Sequence, residues 1–249
     1  MKKIAIYKVL IGDYDELTND AFKVAEDSDV IAYDYYFISD RELVVPEPWK
    51  LIFIQRKYDS AAVENRLYKI GVPEILSQYD YTIYLDSNIS INGDLNKLLN
   101  IVINDDHYIY AYPHFINTSV EEEITNCFIF SRINYREMCK AKLYLHLYLK
   151  NKVGFECGVL IRKKQDAKLT ALAELWFELY FNNVRRDQFY FSIALKRLDM
   201  ECHVLGENDI RSSGAFFKLH SHKRKITFLQ KIYIAIKMRV YSFIRRLKL

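Results

Sequence analysis

The chain has 249 residues, about half of them apolar, which is enough for one sizeable buried core and too little for two ordinary enzyme domains. Its 7 Gly and 4 Pro, without any low-complexity tract, exclude a disordered or fibrous polymer. The net charge of +4 conceals a division: ten of the 36 Lys and Arg residues lie in 218–249, a stretch without Asp or Glu, so the body before it carries more acid than base. Such asymmetry predicts an anionic partner for the tail.

Residues 1–10 start basic, but Lys8 interrupts the apolar run and no small-residue cleavage site follows, so the segment reads as a first β-strand. Apolar runs rich in β-branched and aromatic residues predict strands over 4–11, 30–38, 51–55, 81–85, 108–112 and 158–162. Helical patterns fall between them at 60–70, 73–77, 94–103, 169–182 and 187–198. In the fourth, Leu172, Leu175, Trp176 and Leu179 recur at i, i+3, i+4, i+7. The alternation predicts an α/β fold with a mostly parallel central sheet flanked by helices. In such sheets ligands sit beyond the carboxyl ends of the strands, which singles out Asp40 and Asp86. After Ile210 an Arg-Ser-Ser-Gly run loosens the pattern, suggesting a domain over 1–217 and a tail over 218–249. No run of 18 apolar residues predicts a spanning helix. Cys127, Cys139, Cys157 and Cys202 lie far apart, which suits a reduced, cytosolic compartment better than a disulfide scaffold or zinc knuckle.

The strand at 81–85 delivers Asp86 and, two residues on, Asn88: two oxygen-bearing side chains that can turn toward one divalent cation. By itself Asp-x-Asn is equally the chemistry of a turn. Asp187, after Arg186 and before Gln188, opens a helix, where a carboxylate gains from the helix dipole and can still accept hydrogen bonds from hydroxyl groups; an ordinary N-cap is the alternative. In the tail, Phe228, Leu229, Ile232, Ile236, Val240, Phe243 and Leu247 share one broad helical arc, with Lys231, Lys237, Arg245 and Lys248 opposite. This basic amphipathic helix would lie in an anionic membrane surface, or pack on its own domain. No nucleic-acid-binding motif accompanies the charge, so nucleic acid is not an expected partner.

The segment RLYKIGVPEILSQYDYTIYLDSNISI, 66–91, resembles family 8 and related GT-A glycosyltransferases, in which a helix with a basic residue leads through Pro-Glu-Leu-Leu and Tyr-Asp into a strand ending in Asp-x-Asp. The chain is also similar to a glycosyltransferase-like family first described from plant proteins of seed mucilage synthesis and turgor regulation, whose motif is often Asp-Gly-Asn. PHFINTSVEEEITNC has that family's His114, Glu122, Glu123 and Cys127, with Asn117 where the family has Arg; GFECGVLIRK and RRDQFYFSIAL match two further segments.

The resemblance implies a GT-A-like, Rossmann-like nucleotide-diphospho-sugar transferase fold and a metal-dependent hexosyltransferase using Mn²⁺ or Mg²⁺ and a UDP-sugar. Asp86 and Asn88 would hold the metal, with His220 completing the shell in preference to His222, since spacing of two on an extended chain sends the rings to opposite sides. Arg66, Lys69 and Asp40 would contact the donor. Asp187, Gln188, Glu122 and Glu123 are the expected catalytic, sugar and acceptor contacts. The acceptor would be a saccharide or lipid-linked saccharide of an envelope polysaccharide of O-antigen or capsule type, made at the inner face of the plasma membrane. Retention versus inversion stays open. The alternatives are a non-catalytic membrane-associated binding protein with a degenerate site, or a lipid-directed hydrolase.

Overall fold

The computed structural model describes residues 1–13, 19–114, 119–148, 154–206, 216–220 and 227–246. Its centre is a seven-stranded sheet of β1 (Lys2–Leu10), β2 (Ile31–Ser39), β3 (Trp49–Phe53), β4 (Tyr81–Leu85), β6 (Ile109–Pro113), β7 (Phe155–Lys163) and β8 (Cys202–Val204), in the order β3-β2-β1-β4-β7-β6-β8. Pairs β1–β2, β2–β3, β1–β4 and β6–β8 are parallel; β7 runs antiparallel to both β4 and β6. A second, two-stranded antiparallel sheet joins β5 (Ile89–Ile91) to β9 (Phe217–Leu219).

The continuous apolar character of β1 follows from burial on both faces. Ala5, Tyr7 and Val9 enter one core with residues of α1 (Ala61–Ile70), α3 (Val120–Ile129), α4 (Tyr135–Tyr148), α5 (Ala167–Asn182) and α6 (Asp187–Arg197). Ile4, Ile6 and Leu10 enter the other with α2 (Leu95–Ile103) and the small sheet. In α2 the buried residues Leu95, Leu98, Leu99 and Val102 are one helical stripe, started by the Asp94 cap. The chain leaves β1 toward β2 and β3 on one side and returns to β4 on the other. The ends of β1 and β4 therefore form a topological switch point, the place where α/β sheets open a crevice.

Helices α3 and α4 have no counterpart in the sequence pattern. The buried stripe of α3 is Val120, Glu123, Ile124 and Cys127, so a carboxylate stands where periodicity demands an apolar residue. In α4, exposed Leu143 and Leu147 blur the face marked by Met138, Ala141 and Leu145. Strands β5, β8 and β9 have three residues each, too few to show alternation. Residues 73–77 form only a short 3-10 turn, Glu74–Leu76. Strand β9 carries the chain across position 217 and pairs with β5, which sets His220 beside the loop after β4.

The final helix, α7 (Phe228–Arg246), touches the body through a polar face. Lys237 Nζ donates to Phe128 O at 3.1 Å and Ser131 Oγ at 3.2 Å, and Lys142 Nζ donates to Tyr241 Oη at 3.0 Å. Phe228, Leu229, Ile232, Ile236, Val240 and Phe243 all remain exposed. No described helix is long and apolar enough to cross a membrane. All four cysteines are free thiols.

Candidate active site

Helix α1 presents two cations to the switch point. Ser60 caps its start, and buried Glu64 accepts hydrogen bonds from the Lys57 and Tyr58 amides, pinning the entry loop. Arg66 and Lys69, three apart, share the face toward the sheet ends. At the other end of α1, buried Arg162 donates to the Lys69 and Ile70 carbonyls and to Tyr7 Oη, satisfying helix-terminal acceptors and fixing where the helix stops.

Asp187, the first residue of α6, is buried and takes both cations: Lys69 Nζ lies 2.9 Å from Oδ2 and Arg66 Nε 3.3 Å from Oδ1. Burial alone would raise its pKa, but Arg66, Lys69 and Arg186 more than offset this and hold the carboxyl well below the usual carboxylate range. Such a group stays ionised and balances the charges of Lys69 and Arg66. Lys69 is correspondingly raised: burial opposes its charge, Asp187 and Asp86 outweigh burial.

Asp86 follows β4 directly. Its Oδ1 accepts from Tyr84 Oη at 2.6 Å and lies 3.4 Å from Lys69 Nζ, and its backbone NH donates to Gly158 O. At Gly158 a Cβ would stand 2.8 Å from Ile89 Cδ1 and 3.2 Å from Asp86 Oδ2, so a larger residue would have to displace both side chains. The small sheet then returns the distant C-terminal segment to the same loop. Asn88 Nδ2 donates to His220 O at 2.9 Å, His220 NH donates to Asn88 O at 2.8 Å, and the His220 Nε2 and Ser90 Oγ are 2.8 Å apart. Asn88 and His220 are thus brought together two residues beyond Asp86, although 132 positions separate them. His222 lies outside the described residues.

A second polar layer adjoins the first through α3. Buried Glu123 lies 3.2 Å from His114 Nε2 and 3.6 Å from Arg186 Nη2, and accepts from the Cys127 thiol at 3.1 Å. Burial pushes that thiol up to about 12, so it remains a donor. Gln188 Nε2 donates to Glu156 Oε1 at 3.5 Å, and Arg186 Nη2 donates to Gln188 Oε1 at 3.4 Å. Of the two adjacent carboxylates expected here, Glu123 joins the cluster whereas Glu122 is exposed on α3. Asp40, at the end of β2, accepts from the Gly12 amide at 2.9 Å and pairs with Arg56, so it shapes the turn after β1. Asn117 is outside the described residues.

Tyr84, Glu156 and Arg162 were absent from the expected site. A charged residue within an apolar strand was the available signal for Glu156 and Arg162, and it applies also to Lys8. That lysine is wholly buried and donates to Ile89 O, tying β1 to the loop that carries Asp86 and Asn88.

A mostly parallel sheet with its switch point between β1 and β4, Asp86 and Asn88 on the loop after β4, and buried cations on α1 behind them is the architecture of the GT-A class of glycosyltransferase. The chain belongs to glycosyl transferase family 8, whose model matches residues 21–198. The fold is similar to that of the bifunctional glycosyltransferase WbbM in its apo form, with a TM-score of 0.53 and 12% identity over 96% of this chain and 44% of that one. The chain therefore spans less than half the length of WbbM. Comparison with curated protein sequences gives no match.

Proposed function

We propose that this glycosyltransferase takes its sugar from a nucleotide diphosphate donor, a UDP-sugar, with Mn²⁺ or Mg²⁺, and delivers it to a saccharide or lipid-linked saccharide of an envelope polysaccharide of O-antigen or capsule type. Two neighbouring contacts support this reading: the Asp86 carboxylate lies beside Lys69, and Asn88, two residues on, is bonded to His220. The donor set fits the ion: a carboxylate and an amide oxygen suit a hard divalent cation, and one imidazole suits manganese. Ser90 orients the His220 ring through Nε2, leaving Nδ1 to offer. A metal there would neutralise charge on the departing diphosphate.

In this reading Lys69 and Arg66 would meet the donor phosphates, and Asp187 has a distinct task. Without it, Lys69, 3.4 Å from Asp86, would oppose a cation on that carboxylate. With it, the pair is close to neutral and Asp86 stays available. Glu123, Gln188 and Glu156 form the hydrogen-bonding wall proposed for the sugar and the acceptor.

Calorimetric titration of UDP and UDP-sugars with and without Mn²⁺ tests this. Metal-dependent binding is expected, and in Asp86→Ala affinity in Mn²⁺ should fall by about 100-fold or more, since even changes behind a metal ligand cost about 10–100-fold. Binding indifferent to metal and to Asp86 would favour a degenerate binding protein or a lipid-directed hydrolase instead.

The reading extends to α7 and the tail over 218–249. Its exposed apolar arc and acid-free composition fit peripheral attachment to the inner, anionic face of the plasma membrane, with the helix held to the body by Lys237 and Tyr241. Full-length protein should float with anionic vesicles and not with neutral ones, and the association should weaken with salt. Replacing Phe228, Ile232, Ile236 and Phe243 by Ser should abolish flotation while leaving UDP affinity intact. Undiminished flotation of that variant would remove the tail from the proposal.

A further inference from the structure

At the end of the sheet opposite Asp86, three side chains with metal-ligating chemistry meet. Asp105 and His107 come from the loop between α2 and β6, and His203 from edge strand β8. Strands β6 and β8 are parallel, with Tyr110 opposite His203, so the cluster lies where both strands begin. The other end of β6, Pro113, leads to His114 and the active site, about 13 Å away along a five-residue strand.

One ligating atom from each of the three lies within 4.8 Å of the others. The His107 and His203 rings meet edge to face at 4.9 Å, with Asp105 between them: Oδ1 is 2.8 Å from His107 Nδ1 and Oδ2 is 2.8 Å from His203 Nδ1. The two oxygens differ. Oδ1 also accepts from the Asp106 and His107 amides, which orients the carboxylate. Oδ2 is shut off from solvent and, despite its closeness to His203, is not aligned for a hydrogen bond with it. A buried carboxylate oxygen without an aligned donor, facing two imidazoles, has the arrangement of ligands around a common centre. On the other side of the His107 ring, exposed Glu201 Oε2 lies 3.9 Å from Nε2, where a carboxylate can orient a ligating imidazole.

We propose that Asp105, His107 and His203 form a second metal site, separate from the donor crevice, for a borderline divalent ion of the Zn²⁺ class. Two imidazoles and a carboxylate select such an ion over Mg²⁺ or Ca²⁺, which prefer all-oxygen shells. Its role is structural: it clamps edge strand β8, which has only a three-residue ladder to β6, to the loop entering β6. Binding to the folded state alone raises stability by mass action. This site needs neither nucleotide nor acceptor.

The test uses the full chain in the Asp86→Ala background, so that the donor-end carboxylate is disabled, after chelator treatment. Titration with Zn²⁺ alone should show one ion per chain and a rise in Tm. His107→Gln and His203→Gln should each weaken Zn²⁺ binding by more than about 100-fold, with circular dichroism unchanged. His146→Gln, at an exposed position of α4, should leave it intact. X-ray absorption of the zinc-loaded chain should show two imidazole nitrogens, a readout that survives if a variant does not fold. Absence of stoichiometric binding, affinity unchanged from the parent in both histidine variants, or a shell without paired imidazoles would overturn the proposal and leave Asp105 as a hydrogen-bonding bridge only.

Discussion

Asp187→Asn is expected to destabilise the protein by about 3–5 kcal/mol, the usual cost of stranding a buried charge by removing its partner. The substitution preserves shape and removes only the charge that Lys69 and Arg66 share. Lys69 is fully buried and has Asp86 as its remaining anion, at 3.4 Å; Arg66 loses its nearest one. Urea unfolding measures the loss, and a double-mutant cycle with Lys69→Met isolates the coupling. A loss under about 1 kcal/mol would show that the pair is not held as described. The sign of the pH dependence is set by the depressed pKa. The Asp187 contribution is fully present above the unfolded carboxyl value, about 3.9, and is withdrawn as pH falls through the lower folded value.

Lys8→Met should act in the opposite direction. Burial lowers the Lys8 amine to about 7, with nearby Asp86 resisting the shift. Because the folded state binds its proton less tightly than the unfolded chain does, stability rises as pH increases from about 7 toward the unfolded value near 10.4. Over that window the gain is about 5 kcal/mol, and below it the penalty is fully present. Methionine fills the same slot without an amine, so the variant should be more stable than the parent near pH 6, and that advantage should shrink toward pH 10. Denaturant midpoints across pH would show two converging curves; parallel curves would refute the assignment. A lysine that costs stability in the middle of an apolar strand persists where its bond to Ile89 O matters, namely in holding the loop of Asp86 and Asn88 against β1.

Much of the sheet was legible from local pattern. Strand β4 coincides with its predicted range, and α1, α2, α5 and α6 lie within two residues of theirs; the first three start at the capping residues Ser60, Asp94 and Asp166. Asp86 was legible for the same reason, standing where a buried strand runs out. The sequence also exposed the basic, apolar-faced tail, since composition and helical period are local properties.

What the tertiary structure decided was partnership. Whether Asp187 caps a helix or neutralises Lys69 depends on α1 packing across the sheet, which no spacing encodes. Glu123 and Glu122 are adjacent in sequence, yet one is buried among His114, Arg186 and Cys127 and the other is exposed, because a helix turns about 100° per residue. Asn88 and His220 meet only because two three-residue strands pair, and a ladder that short leaves no periodic trace. Asp105, His107 and His203 are joined by the same cause, through the rungs of β6 and β8. Local sequence determined which elements form and where the chemistry-bearing residues leave them; long-range strand pairing and burial decided which of those residues share a charge or a hydrogen bond.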